Sequence, residues 1–285
     1  LEADIVDEAL LDGAAGILGA LLNGGPAEDI EDYEQAPRAA EAYLRHLVRR
    51  PDHRPLDLRH LLVAEQLREF IGPARDELED DETLRELGWD LERRARVLEM
   101  CERVAQRPEW PEQVREGLEA PDLARFHQAD AAAQLLDIDA WDHHVRRIEQ
   151  SPLNSPSWFR LVQTEDNERF EQVLALAERL LPLDEVGTGA AEETGLGPEF
   201  DVHDTLLVLV HGLVDKPGVG EHLIDVALRS PVIRVRRGAL RVLAAWGDKT
   251  SEAARALLVT ALEVEPDEEL AADMRKVLAG QRLTD

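Results

Sequence analysis

Apolar residues recur three and four residues apart along almost the whole chain, and long strand-like alternations of apolar and polar residues are absent. This spacing is typical of amphipathic helices, and residues with high helix propensity dominate the sequence. The pattern therefore predicts an all-α protein in which prolines and glycines mark the turns. The clearest predicted helices span residues 38–49, 56–71, 91–104, 111–118, 121–136, 139–150, 166–181, 203–214, 218–229, 231–246, 251–264 and 267–279.

Four further segments are less regular. Residues 1–22 fit one or two helices, although their glycines weaken this prediction, because a glycine costs up to about 1 kcal/mol in a helix interior. Residues 27–37 are acidic and are predicted to form a loop, and residues 151–157 are predicted to form a proline-bearing turn. A glycine-rich loop is predicted from about Leu183 to Phe200.

The last third of the chain repeats itself with a period of 34 to 35 residues. Each unit is predicted to contain a helix, a tight proline turn and a second helix. A repeat of this size predicts stacked helix pairs, because a single pair cannot bury its apolar face alone. The apolar positions that recur are Leu223, Ala227 and Leu228 as Leu257, Ala261 and Leu262, and Val235, Ala239, Val242 and Leu243 as Leu270, Met274, Val277 and Leu278.

The predicted helix 231–246 carries clear start and stop signals. Ser230 is a favourable N-cap, Pro231 suits the first helical position, and Gly247 suits a left-handed C-terminal residue. The apolar stripe of this helix is predicted to face the core. Four arginines are predicted to lie on flanking or opposite faces of the helix: Arg234, Arg236, Arg237 and Arg241.

The segment SPVIRVRRGALRVLAAWGD, residues 230–248, resembles the second helix of a HEAT repeat. Val235 and Arg236 match the Val–Arg step of that pattern, and Ala239 is the first residue of its Ala–Leu pair. In the next unit Ala271 takes the place of Arg236. The resemblance implies an irregular α–α superhelix of the HEAT and armadillo kind, with repeats that are clearest after residue 200.

A second resemblance covers residues 139–246. This stretch is similar to a group of bacterial HEAT-like proteins that carry the label limonene hydroxylase. A monooxygenase needs haem, flavin or non-haem iron to handle oxygen. The sequence has no nucleotide-binding glycine fingerprint after a strand and no cysteine in a haem-ligand context. The resemblance therefore implies a fold rather than a reaction, and we expect no cofactor.

The charge of the chain narrows the choice of partners. The sequence has 60 Asp and Glu against 32 Lys and Arg, a net charge of −28. Phosphate groups would be repelled over most of such a surface, so nucleic acid and anionic membranes are not expected as partners. No apolar run approaches the roughly 18 residues that a membrane span requires. The charge also suits a protein that neutralises a basic partner.

One cysteine is present, Cys101, on an apolar helical segment, and it is predicted to be a small buried hydrophobic residue. A single cysteine fits a reducing cytoplasm, which is the predicted location. The chain begins with Leu1 rather than methionine. We therefore expect that the chain is truncated or processed. The missing N-terminal segment could have carried a targeting signal.

The nearest approach to a metal site lies in the predicted helix 139–150. Asp139 and His143 are four residues apart and would share a helix face, with Asp142 and the adjacent histidine beside them. His203 could complete the site only if the fold brings it close. The alternative is surface polarity with one packed histidine, and we expect no bound metal.

The glycine-rich loop is the predicted partner-binding segment, because long loops in compact proteins are often functional. The alternative is that Leu183, Val186, Leu196 and Phe200 plug a gap between helices. Both interpretations stay open at this stage. The residues assigned to partner binding are Thr188, Glu192, Glu193, Leu196 and Phe200.

The sequence is thus predicted to divide into an irregular helical segment (1–37), divergent helix pairs (38–182), a glycine-rich loop (183–202) and HEAT-like repeats (203–285). We expect a non-catalytic scaffold whose curved surface binds a protein. Two alternatives are an enzyme or metal-dependent protein with a site near the acidic and histidine residues above, and an acidic inhibitor or immunity-type protein that neutralises a basic partner.

Overall fold

A computed structural model of the protein describes residues 30–49, 56–72, 85–86 and 88–283. These residues form 14 α-helices and no β-strand, and 72% of them are helical. The prediction of an all-α fold is confirmed. The helices are α1 Ile30–Arg49, α2 Leu58–Ile71, α3 Leu91–Ala105, α4 Trp110–Leu118, α5 Leu123–Leu135, α6 Trp141–Gln150, α7 Ser155–Val162, α8 Asn167–Leu180, α9 Leu183–Val186, α10 Asp201–His211, α11 Glu221–Leu228, α12 Ile233–Trp246, α13 Glu252–Val264 and α14 Glu268–Leu278.

The chain divides into two compact units, residues 1–140 and residues 141–285. In the first unit, α3 packs against α1 and α2, and α5 packs against α2 and α4. Buried Arg94 satisfies the end of α2 by donating two hydrogen bonds, of 3.1 and 2.8 Å, to the carbonyl oxygen of Ile71. Trp110 donates a hydrogen bond of 2.7 Å to the Val104 carbonyl. These two buried side chains of the first unit therefore have hydrogen-bond acceptors within an otherwise apolar core.

In the second unit, most packed pairs are helices that are neighbours or next but one in sequence. Helix α10 contacts α7, α11 and α12. Helix α12 contacts α11 and α14, and helix α13 contacts α14. Helix α11 also packs against α13 itself. This pattern of neighbours suits stacked helix pairs. The longer-range superhelix stays a prediction.

The apolar stripe predicted from the repeat is part of the core of the second unit. Val235, Ala239, Val242 and Leu243 are all buried, as are Leu270 and Met274 in the following unit. The repeat is imperfect, because Val277 and Leu278 are only partly buried against that core. Four of the five tryptophans are also buried, and Trp246 donates a hydrogen bond of 2.8 Å to the Leu213 carbonyl.

Two local predictions were wrong. Residues 30–37 were predicted to be a loop, but α1 begins at Ile30. Residues 151–157 were predicted to form only a turn, but α7 begins at Ser155. There the Asn154 side chain accepts the Ser157 amide hydrogen at 3.0 Å. A proline in the first turn of a helix needs no amide hydrogen, so the same proline that suggested a turn is compatible with a helix start.

The ends of α12 differ slightly from the prediction. The helix begins at Ile233 with Val232 as its N-cap, so Ser230 and Pro231 precede it. Gly247 has φ +53°, as expected for the residue that ends the helix. The predictions for residues 1–22 lie outside the described residues. Among the helices that the structure describes, none combines the length and apolar character needed to cross a membrane.

Candidate functional site

The glycine-rich segment 187–200, named the docked loop below, is held against the turn between α11 and α12. The Gly189 amide donates a hydrogen bond of 2.8 Å to the Arg229 carbonyl. Glu193 forms an isolated parallel β-bridge with Val232. Its amide donates to the Pro231 carbonyl at 3.2 Å, and its carbonyl accepts the amide hydrogen of the residue after Val232 at 3.2 Å. The backbone of the loop is therefore fixed by contacts about 40 residues away in sequence.

Two arginines complete the attachment of the docked loop. The Arg229 guanidinium donates a hydrogen bond of 2.9 Å to the Gly187 carbonyl, and Arg234 donates one of 2.7 Å to the Gly195 carbonyl. Arg234 also forms an ion pair with Asp204. These bonds pair carbonyl groups that have no helix or sheet partner, as buried or half-buried backbone requires.

Gly195 is needed where the docked loop meets α12. Its φ of +75° lies in the left-handed region that glycine adopts at least cost. A Cβ atom at this position would lie 2.6 Å from Cγ1 of Val232, which is closer than real contacts allow. The loop therefore approaches the α11–α12 turn as closely as its backbone permits.

The residues assigned to partner binding lie mainly on the outside of the docked loop. Thr188, Glu192, Glu193 and Leu196 are exposed, and Leu196 is 77% exposed. Phe200 is partly buried, and its ring lies 5.7 Å from that of His203. The structure therefore brings four of the five together on one solvent-facing segment and places Phe200 at its inner end.

The plug interpretation holds for the start of the segment. Leu183 and Val186, in the single turn of α9, are buried in the core, and Phe200 packs partly against it. Leu196 does not, so the prediction that it could help to plug the gap was wrong. Its flanking glycines, both with positive φ, turn the chain outward at this point.

A buried ion pair that the sequence reasoning missed lies behind the docked loop. Arg236 was predicted to lie on a flanking or opposite helix face, but its side chain is 0% exposed, as is that of Glu265. The two form a bidentate pair, with Nε–Oε2 at 2.8 Å and Nη2–Oε1 at 2.7 Å. The remaining donor of Arg236, Nη1, bonds to the carbonyls of Ser230 and Pro231 at 2.8 and 3.0 Å.

This pair explains why a charge is tolerated inside the repeat core. Every guanidinium nitrogen has an acceptor, and one carboxylate oxygen also accepts the Asp267 amide at 3.1 Å. The pair joins α12 to the turn between α13 and α14 and also orders the turn on which the docked loop rests. The signal in the sequence was a helix with four arginines and no acidic residue, in a chain that is strongly acidic overall.

Two buried histidines each contact a buried serine. His203 Nδ1 lies 3.0 Å from Ser230 Oγ, and His144 Nδ1 lies 3.2 Å from Ser157 Oγ. Ser230 and Ser157 are 0% and 1% exposed, so neither hydroxyl can be reached by a substrate. Ser230 Oγ also accepts the Val232 amide hydrogen at 3.2 Å. These contacts link helices and turns and do not form a nucleophile.

The candidate metal ligands are not assembled into a site. Asp139 precedes the first residue of α6, so the helical spacing assumed for Asp139 and His143 does not apply. Nδ1 of His143 lies 3.0 Å from the Arg146 guanidinium, whose positive charge opposes a cation. Within the described ranges, no group of three or more His, Cys, Asp and Glu side chains is placed to hold a metal, and this includes Asp142 and His203.

Cys101 is buried, as predicted, in α3 of the first unit. Burial raises the pKa of its thiol to about 12, and the nearby Glu65 carboxylate acts in the same direction. The thiol is therefore protonated at neutral pH, whereas a nucleophilic cysteine needs a thiolate. This residue serves packing in α3.

Burial lowers the pKa of His203 below its usual value, with Asp204 opposing the shift and Arg234 adding to it. Burial and the Arg241 cation lower the pKa of His211 in the same way. The unfolded chain then binds protons first as the pH falls, so folding stability is lost on acidification below about pH 6.5.

We therefore expect the urea concentration at the midpoint of unfolding to decrease as the pH is lowered from about 7 to about 5. This range lies above the usual pKa values of carboxylates. The double variant His203→Gln/His211→Gln should show a flatter profile over this range. His222→Gln, which changes an exposed histidine, is the matched control and should keep the wild-type slope. An unchanged slope in the double variant would contradict the assignment.

No protein-family model and no curated protein sequence matches the chain. The HEAT-like assignment of the repeats therefore stays a prediction that rests on the residues quoted above. The function is argued below from the geometry of the second unit.

Proposed function

We propose that this protein is a non-catalytic binding scaffold, a HEAT-like helical repeat of the bacterial cytoplasm, whose docked loop contacts a protein partner. One observation carries the proposal: Leu196 is 77% exposed although the backbone just before it, at Glu193 and Gly195, is hydrogen-bonded to the α11–α12 turn and to Arg234. A leucine presented in this way gains about 1.5–3 kcal/mol when a partner buries it. A loop that is already ordered loses little further entropy on binding.

The charges around Leu196 indicate the kind of partner. Glu192, Glu193 and Glu199 are exposed on the same short segment. An apolar pocket with a basic rim complements a leucine flanked by carboxylates. Such binding should weaken as salt is added, because exposed charges are screened within about 10 Å at moderate ionic strength.

A single substitution tests the proposal. Leu196→Asp should weaken partner binding about tenfold without unfolding the chain, because this side chain lies outside the core. Leu153→Asp is the matched control, since Leu153 is 44% exposed in the turn before α7. Affinity purification from the source cell, followed by quantitative mass spectrometry, measures the amount of each protein that a variant binds. We expect one protein to be bound equally by wild type and Leu153→Asp and about tenfold less by Leu196→Asp.

A second function is supported by the net charge of −28, namely neutralisation of a basic partner. That activity would be spread over many carboxylates rather than centred on one leucine. It predicts capture of a basic protein that Leu196→Asp retains and that high salt releases. Equal capture by wild type and Leu196→Asp would therefore reject the docked loop and favour neutralisation.

Replacing Thr188–Gly195 with a short Gly-Ser linker separates packing from binding. The replacement removes the β-bridge and the hydrogen bonds to the α11–α12 turn, so we expect stability to fall together with binding. Reduced stability with unchanged partner binding would show that the segment only packs against the turn.

A further inference from the structure

The second unit contains a local reversal of charge. From residue 229 to residue 241 the chain carries five arginines and no acidic residue, although acidic residues outnumber basic ones by 60 to 32 overall. Arg236 is buried in its ion pair. On the exposed side of α12, Arg234 and Arg237 form ion pairs with Asp204 and Glu269. Arg241 makes no hydrogen bond or ion pair with any residue in the part of the chain that the structure describes.

Arg241 borders a cavity of about 610 Å³ at the C-terminal end of α12, named the arginine cavity below. Arg255 and Arg282 line the same cavity, and Asp248 is the one carboxylate among the described residues that line it. Three guanidinium groups and one carboxylate leave a local excess of two positive charges. The volume falls within the range of pockets that enclose a ligand group.

Part of the remaining wall of the arginine cavity is apolar. Leu243 and Leu258 lie beneath it, and Val277 and Leu278 border it while being only partly buried. Arg255 is already oriented, because its guanidinium donates a hydrogen bond to the Leu278 carbonyl at the end of α14. A ligand that suits this cavity therefore combines a carboxylate with an aliphatic group.

We propose that the arginine cavity binds a segment of a protein partner that is rich in carboxylates and carries aliphatic side chains. Guanidinium groups pair with carboxylates through two parallel hydrogen bonds. The aliphatic groups of the segment cover the floor formed by α12, α13 and α14. Since the chain carries a net charge of −28, the local excess of arginines is what attracts such a segment to this cavity.

This proposal goes beyond the binding of the docked loop. The docked loop offers carboxylates and a leucine to a basic, apolar pocket, whereas the arginine cavity accepts carboxylates. The two surfaces use different residues, so either one can fail its test while the other succeeds.

The test uses the full chain and a fluorescein-labelled peptide of glutamate and leucine residues, with binding measured by fluorescence anisotropy. The control peptide has glutamine in place of every glutamate. We expect the glutamate peptide to bind about tenfold more tightly than the glutamine peptide. Binding of the glutamate peptide should also weaken at high salt.

The variant Arg241→Ala/Arg282→Ala should weaken binding of the glutamate peptide by about tenfold. The matched control is Arg115→Ala/Arg179→Ala, which also removes two positive charges, from exposed positions in α4 and α8. The control should bind like wild type. Circular dichroism of both variants keeps a failure to fold separate from a loss of binding.

Four binding results would each overturn the proposal. They are no measurable binding of the glutamate peptide, equal binding of the two peptides, an equal loss in the control variant, and tighter binding of an oligonucleotide that the cavity variant also loses. Self-association of the protein, seen by sedimentation and abolished by Arg241→Ala/Arg282→Ala, would also overturn it, since the occupant would then be a second copy.

Discussion

Replacing Arg236 with methionine should lower the free energy of unfolding by about 3–5 kcal/mol, because the change leaves the Glu265 carboxylate buried and without its charge partner. Both side chains are 0% exposed, so water cannot replace the lost hydrogen bonds. The Ser230 carbonyl also loses the donor that Arg236 supplies, while the Pro231 carbonyl keeps the Glu193 amide. Urea denaturation followed by circular dichroism measures the effect.

Two further variants show whether the loss comes from the unpaired charge. The double variant Arg236→Met/Glu265→Met should be more stable than Arg236→Met alone, because apolar side chains of similar volume often replace a buried pair without loss. Arg237→Ala breaks only the exposed pair with Glu269 and should cost less than about 1 kcal/mol. A loss below about 1 kcal/mol for Arg236→Met would show that the pair is not buried in solution.

Replacing Leu243 with alanine should lower the free energy of unfolding by about 2–5 kcal/mol, the usual cost of a cavity in a core. Leu243 is 1% exposed and lies on the stripe that α12 buries. Urea denaturation is again the measurement.

The repeat supplies the control for this prediction. Leu278 holds the equivalent position in the next unit but is only partly buried, so Leu278→Ala should cost less than Leu243→Ala. Val259→Ala changes a side chain that is 44% exposed and should stay within about 0.5 kcal/mol of wild type. Equal losses at Leu243 and Val259 would contradict the packing described here.

Local periodicity accounts for most of what the sequence predicted correctly. The buried positions of α12 and α14 follow from apolar residues at helical spacing, since that spacing alone places them on one face. The start of α7 was missed for a related reason. Asn154 and the proline that follows Ser155 favour a turn and a helix start equally, and only the packing of the helix against α10 decides between them.

Contacts between distant residues could not be predicted in this way. Arg236 and Glu265 are 29 residues apart, and helical periodicity assigned the arginine to the outside of α12 because its charge favours water. The outward position of Leu196 depends on hydrogen bonds between the docked loop and the α11–α12 turn. No pattern within residues 187–200 identifies that turn as its neighbour.

The buried ion pair sets the size of the segment that can be moved as a module. The sequence repeats every 34 to 35 residues, which invites grafting of a single helix pair into another protein. A cut between α12 and α13 would separate Arg236 from Glu265, and a cut before residue 229 would separate the docked loop from the turn that holds it. The smallest transplantable segment that keeps these polar partners together therefore extends from residue 187 to at least residue 265, about twice the length of one repeat.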